Sequence, residues 1–308
     1  MKIIVTGASG FFGPGIVERL HAAGHEVIPA SRRSLQAPVD IGDAASCRAL
    51  IAAHRGVDAV VHAAALAHVP PDAGAAAECE RVNVHGTRNI ADAAANAGIS
   101  RFVFISSVTV YGDYDLPVPV TEDGPVRSTS LYGAAKRRAE DILAQYGGRL
   151  EVWTLRMSTM YAPDWLYNVR KRVSPPLVGR FLHFTLDPDR RRYTLCSRRN
   201  GAEAVLWSVE ARLPPGTYNV SEPHVYSQRE ILRAVERVEG TRPHLPVPVL
   251  IPRAAASLAR LIPGASVREN ARSRYWKFCE HNVYSGARLQ ACGLELSPDL
   301  LDLGGPAS

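Results

Sequence analysis

Several patterns are scarce or missing in this chain, and each absence narrows what it can be. The five cysteines, Cys47, Cys79, Cys196, Cys279 and Cys292, are odd in number and widely spread, with no Cys-x-x-Cys and no Cys/His metal spacing. That pattern argues against a disulfide framework and against a metal site, so reduced thiols are expected. No uninterrupted apolar run reaches membrane-spanning length. Internal repeats and low-complexity linkers are also lacking. Lysine is confined to Lys2, Lys136, Lys171 and Lys277, so the net charge of +6 rests almost entirely on arginine. A basic balance suits a phosphorylated substrate; a nucleic-acid surface would need that charge set among base-stacking aromatics, and no such partner is expected. The chain runs from Met-Lys straight into an apolar stretch, which leaves no signal peptide and makes a cytoplasmic location the expectation.

What remains is ordinary for a globular protein: 308 residues, 46% hydrophobic and 21% charged. The most informative stretch comes first, MKIIVTGASGFFG. Lys2 to Val5 is long enough for one buried strand. Thr6-Gly7-Ala8-Ser9-Gly10 breaks it, and Phe12, Ile16 and Leu20 then follow at a helical period, with Val17 beside them. A strand, a glycine turn and a helix make half of a βαβ unit. The free N–H groups and partial positive charge at such a helix start suit a diphosphate. Gly7 would allow the tight turn, Gly10 close approach to phosphate, and Gly13 close helix–strand packing. Phe11 and Phe12 complete the candidate cofactor turn. The competing reading is a glycine turn with no ligand.

Further strands are expected at Glu26 to Ala30, ahead of Val39-Asp40-Ile41, and at Asp58 to His62, Arg101 to Ile105 and Glu151 to Arg156, the last counted as the sixth. Helices alternate with them, which describes a doubly wound parallel sheet. The end of the second strand reads Ala30-Ser31-Arg32-Arg33, with no acid for an adenosine 2′-hydroxyl; arginine there favours the 2′-phosphate of NADP(H), with NAD(H) possible. Ala63-Ala64-Ala65 is a small-residue turn of the kind that lets a cofactor pass, or else the start of an alanine-rich helix. Asn83-Val84-His85-Gly86-Thr87 opens a long helix to about Ala97. Ser106-Ser107-Val108-Thr109-Val110-Tyr111-Gly112 ends a buried strand, where an α/β sheet places its chemistry. A polar loop, Asp113 to Thr129, precedes a helix beginning Ser130-Leu131-Tyr132-Gly133-Ala134-Ala135-Lys136. Tyr132 and Lys136 stand at i and i+4 and share one face.

Taken together, TGASGFFG, NVHGT, SSVTVYG and YGAAK resemble the motifs of the extended short-chain dehydrogenase/reductase family, of the epimerase/dehydratase type acting on nucleotide sugars. The resemblance implies a Rossmann-type doubly wound α/β sheet over residues 1–160, with returning segments from about 190–225. It also implies a smaller α+β substrate domain over 161–308. Asp40 and Ile41 would hold the adenine. Tyr132 would be the acid/base for hydride transfer, Lys136 the cation that lowers its pKa and holds the nicotinamide ribose, Ser107 the substrate polariser and Asn83 a brace for the lysine. Family members commonly dimerise through the helices that start here near Asn83 and Tyr132.

The second half matches more loosely. Where the family often has Arg-Pro-x-Asn, this chain has Arg156-Met157-Ser158-Thr159. Candidate substrate contacts are Thr109, on the side of Ser107 if the strand stays extended, Thr159, and the arginines Arg191, Arg192 and Arg268, which suit a diphosphate. Tyr111 reads as core packing. Val108 and Thr109 stand where sugar 4,6-dehydratases carry an Asp-Glu pair, so a 4-keto reductase or 4-epimerase is expected. A reductase of a non-sugar ketone and a non-catalytic dinucleotide sensor are the alternatives.

Overall fold

In the computed structural model, residues 1–67, 73–112, 116, 118–128, 130–173, 182–186, 188–247 and 281–303 are described. The first half alternates strands and helices. β1 (Lys2–Thr6) leads to α1 (Gly13–Ala22), β2 (Glu26–Ala30) to α2 (Ala44–Ala53), and β3 (Ala59–His62) to α3 (Ala73–Cys79). A π-helical turn, Glu80–His85, joins α3 to α4 (Gly86–Asn96). Asn83 therefore lies inside a wide helical turn instead of opening the helix, as the sequence suggested. Such turns recur at functional sites. β4 (Arg101–Ser107) passes into a 3₁₀ turn, Val108–Tyr111. After α5 (Leu131–Leu143) comes β5 (Glu151–Met157).

The second half adds short pieces: β6 (Thr159–Tyr161), α6 (Tyr167–Arg170), β7 (His183–Thr185), β8 (Arg192–Tyr193) and β9 (Leu195–Ser197). Next are α7 (Arg198–Val209), β10 (Gly216–Val220), β11 (Tyr226–Ser227), α8 (Gln228–Glu239) and β12 (His244–Pro246). α8 starts with a capping box, the Ser227 hydroxyl accepting from the Glu230 N–H and the Glu230 carboxylate from the Ser227 N–H.

Six strands form one parallel sheet in the order β10-β5-β4-β3-β1-β2. One expectation is corrected here: no further strand lies between β2 and Asp40. A single bridge joins Ser31 and Pro38, the Ser31 carbonyl takes the N–H groups of Ser34 and Val39, and Pro38 has no N–H with which to extend a ladder. β5 is thus the fifth strand and β10, pairing beside it, the sixth of the sheet in chain order.

The period-two alternation of each strand feeds two cores, one on each face. Ile3, Val5, Val61, Val103 and Leu155 pack against Ile16 and Leu20 of α1 and Val205 and Leu206 of α7. Ile4, Val60, Phe102 and Phe104 pack against Leu50 of α2, Ile90 and Ala94 of α4, and Ala139 and Ile142 of α5. A smaller cluster gathers Tyr161, Tyr193, Leu195 and Tyr226 around Ile231 and Val235 of α8. Chain order reverses between β1 and β3, so the C-terminal ends of β1, β3 and β4 open onto the crevice where doubly wound sheets bind ligands.

Candidate active site

The glycine turn occupies the end of β1. Gly7 has φ +73° in the tight turn, and a Cβ there would lie 2.5 Å from the Ala64 nitrogen. Only glycine tolerates both the conformation and the approach. A Cβ on Gly13 would lie 2.4 Å from the Gly7 carbonyl oxygen, so Gly13 is packed on the turn itself rather than on the strand. Gly10 differs: it is exposed, and an added Cβ would meet only the Gly7 carbonyl, at 3.3 Å. The outer side of the turn is therefore open, above a helix start whose Phe12 cap provides no side-chain hydrogen bond. Bare backbone and an approachable helix N-terminus suit the diphosphate of a dinucleotide. Phe12 is buried beneath the turn, whereas Phe11 stacks against Trp165 with ring centroids 4.1 Å apart.

At the end of β2, Ser31 is buried and Arg32 and Arg33 are exposed. Ile41 packs into the core, its side chain against Gly86. Asp40 accepts from the Gly42 N–H at 3.0 Å, and both its carboxylate oxygens accept from Nη1 of Arg81, at 3.1 and 3.0 Å. Arg81 also forks onto both oxygens of Glu78. These bonds hold the Asp40 carboxyl below its ordinary range, although burial opposes the shift. The sequence offered no sign that Arg81 would occupy this corner.

A buried relay links the strand ends. His62 closes β3, packed between Phe102 and Phe104. Its Nδ1 is 2.7 Å from the Thr6 hydroxyl and its Nε2 is 3.1 Å from the Thr87 hydroxyl. Thr87 donates its one proton to the Asn83 carbonyl, 2.8 Å away. Nε2–H must therefore donate to Thr87, and Nδ1 accepts from Thr6. Burial pushes the imidazole down to about 3, so this neutral tautomer is the working one. Ala63-Ala64-Ala65 continues as coil and not as a helix; Ala63 N–H donates to the Thr6 carbonyl. The Asn83 amide pairs with both backbone groups of Leu66, at 2.7 and 3.0 Å, and donates to the Cys79 sulfur. Its direct partners thus brace the turn after β3.

Ser107 ends β4 and caps the 3₁₀ turn. Its hydroxyl oxygen accepts from the Thr109 N–H at 3.2 Å and from the Thr109 hydroxyl at 3.0 Å. Ser107 and Thr109 do meet, but through a tight turn instead of along an extended strand. With two donors already on its oxygen, the Ser107 proton remains to be given away. Helix α5 is fitted against this turn: a Cβ on Gly133 would lie 2.6 Å from the Thr109 carbonyl oxygen. Lys136, fully buried, donates to the Ile105 carbonyl at 2.7 Å, lies 4.5 Å from the centroid of Phe104, and is 5.9 Å from that of Tyr132.

The electrostatics of the pair correct the sequence reading. Burial pushes the Tyr132 phenol up to about 12 and the Lys136 ammonium down to about 7. The phenol is raised and not lowered, because burial disfavours its charged form and the Cys79 thiol adds to the effect. Tyr111 is buried as expected, but its hydroxyl is used: it donates to Asn219 at 2.7 Å and accepts from Arg156 at 2.9 Å.

Among the substrate candidates, Thr159 accepts from Arg172 at 3.0 Å, and Arg172 lies over the Tyr193 ring. Arg191 is buried, and Arg192 bends onto the carbonyls of Asp189 and Arg191. Arg268 lies outside the described residues. Cys47, Cys79, Cys196 and Cys292 form no disulfide, and among the described residues no cluster of three His, Cys, Asp or Glu side chains is arranged to hold a metal. No helix among them is long and apolar enough to cross a membrane.

Comparison with known proteins shows which family the chain resembles. A UDP-glucose 4-epimerase of Erwinia amylovora is 34% identical over 165 residues, 47% of this chain and 48% of that protein. A dTDP-glucose 4,6-dehydratase of Streptomyces griseus is 32% identical over 212 residues, 61% of each chain. The chain thus matches about half the length of the first of these relatives. A structure of Thermus thermophilus UDP-glucose 4-epimerase in complex with NAD superposes with a TM-score of 0.73 at 23% identity, covering 100% of both chains, and shares the fold. The profile of the NAD dependent epimerase/dehydratase family matches residues 3–221, which spans the sheet, the glycine turn and α5, and the chain belongs to that family of enzymes.

Proposed function

We propose that this protein is an NAD(H)-dependent enzyme of nucleotide sugars that exchanges hydride at a sugar carbon, as a 4-epimerase or a 4-keto reductase. What carries the reading is the single face of α5 that sets a phenol and an ammonium beside β4, where a serine hydroxyl has a proton to give. Tyr132 moves the proton at the substrate oxygen, and Ser107 donates a hydrogen bond to that oxygen as its charge develops. Thr109 keeps the Ser107 proton pointed outward. Asn83, Leu66 and the His62 relay fix the wall opposite. The turn from Gly7 to Gly13 would hold the cofactor diphosphate, with Asp40 and Ser31 toward the adenosine, and the bound nicotinamide supplies the hydride chemistry.

The named relatives favour the epimerase arm and NAD(H) over the NADP(H) suggested by Arg32 and Arg33. A dehydratase remains disfavoured, because Val108 and Thr109 provide no acid–base pair. A homodimer through α4 and α5 and a cytoplasmic location belong to the same proposal. Denaturing the purified protein and identifying the released nucleotide, then following UDP-sugars by proton NMR, tests it. Tightly held NAD with interconversion at C4 is the result expected of an epimerase. An empty site that takes up NADPH points to the reductase, and a protein that binds no dinucleotide ends the proposal.

A further inference from the structure

The sequence marks Tyr132 and Lys136 on one face of α5, and the same face continues one turn further to Glu140. This residue is not at the surface. Its side chain and that of Arg156 are only 12% and 8% exposed, and they pair at 2.7 Å. The guanidinium forks onto the carboxylate, with a second bond of 3.1 Å from Nε. Ser106, the residue before Ser107, donates its hydroxyl to the same carboxylate at 2.5 Å. Arg156 in turn donates to the Tyr111 hydroxyl and, at 3.1 Å, to the Glu122 carbonyl. A single carboxylate thus ties α5 to the ends of β4 and β5, directly under the residues of the proposed chemistry.

Burying an ion pair is a weak source of stability, since the desolvation of both charges offsets their attraction. The arrangement calls for another purpose, and geometry supplies one. Glu140 lies at i+4 from Lys136, about 5–6 Å away between Cβ atoms on the same helical face. We infer that Glu140 is a positioning residue whose carboxylate, pinned by Arg156 and Ser106, holds a negative charge on the helical face of the buried Lys136 side chain, beside Tyr132.

The surroundings of Lys136 leave this role to Glu140. From its own helix, Lys136 is faced by Tyr132 and Glu140; from α3 by the Cys79 thiol; from β3 by the neutral His62; and from β4 by the Phe104 ring and the Ile105 carbonyl. Glu80 and Arg138 pair with each other on the outer side of α5. Glu140 is the carboxylate that opposes the desolvation of the ammonium. Removing its charge would lower the share of Lys136 that is charged at neutral pH and so weaken the cation beside the phenol. The consequence for turnover rests on the function proposed above, but the electrostatic claim does not.

The scarcity of lysine makes the claim measurable. Selective labelling of lysine side-chain carbon gives signals only from Lys2, Lys136, Lys171 and Lys277, and a Lys136→Arg variant assigns the one of interest. In Glu140→Gln the midpoint of the Lys136 titration is expected to fall by about one pH unit or more, with the other lysines unmoved. Because that substitution strands the Arg156 guanidinium, Glu140→Gln with Arg156→Met is measured alongside it, and the same downward shift is expected. A Lys136 midpoint unchanged in both variants, with only the melting temperature lowered, would overturn the inference and leave Glu140 a structural anchor. A shifted midpoint in a protein that turns over no nucleotide sugar would uphold the inference while removing the proposed function.

Discussion

At the scale of single residues, the candidate side chains could be named because motifs announce residue types. Ser107, Tyr132, Lys136 and Asn83 were named from the motifs that carry the family resemblance, and their chemistry is the proposal made above. What surrounds them was not so marked. His62 reads in the sequence as the last residue of a buried strand, and nothing in that position foretells that its two ring nitrogens will join Thr6 to Thr87. Its burial has a measurable consequence. The imidazole is neutral in the fold down to about pH 3, whereas in the unfolded chain it takes up a proton near its ordinary value of about 6.5. The unfolded state then binds more protons, so the contribution of His62 is complete above about pH 6.5 and is lost as pH falls toward 3. Replacing His62 with glutamine, which keeps polar atoms but does not titrate, should flatten the acid side of a stability–pH profile measured by denaturant unfolding. An unaltered slope would mean that the ring is not held neutral.

At the scale of elements, strand and helix positions followed from hydrophobic period, and the misreadings have local causes. The strand expected before Asp40 fails at Pro38, which cannot donate to a ladder, and the helix expected to begin at Asn83 begins earlier and widens through a π turn. Neither feature alters the hydrophobic pattern, which is why pattern alone missed them. The pairing of Glu140 with Arg156 was open to a closer reading, since i+4 from Lys136 is the next position on the same helical face. Arg81 was not, because its partners Asp40 and Glu78 meet it only in the folded chain. Gly13 shows how tightly the first turn and helix are fitted. A Gly13→Ala substitution places a methyl 2.4 Å from the Gly7 carbonyl oxygen. It should cost about 1–3 kcal/mol in denaturant unfolding and weaken dinucleotide binding in a fluorescence titration. Full affinity in that variant would show that the turn does not need its close packing.

At the scale of the molecule, the doubly wound sheet was evident from alternation over the first half, while the second half was not, because its pieces among the described residues are two to five residues long apart from α7 and α8. Short strands such as Arg192–Tyr193 are defined by partners distant in the chain, and no local period marks them. The sheet separates two cores, and its central strands carry the stability. Ile4, with no exposed surface, should lose about 2–5 kcal/mol on substitution by alanine. Leu35, wholly exposed, should change by less than about 0.5 kcal/mol. Parity between the two in chemical denaturation would contradict the core described here. The central claim concerns the crevice above those strands. Its most direct test compares Tyr132→Phe with the unaltered protein in two assays, dinucleotide affinity by titration and conversion of a UDP-sugar by NMR. Removal of one phenolic oxygen should leave affinity within about twofold and lower turnover by about a hundredfold or more, in line with loss of general acid–base catalysis. A variant that binds and turns over like the parent would show that the proton is moved elsewhere.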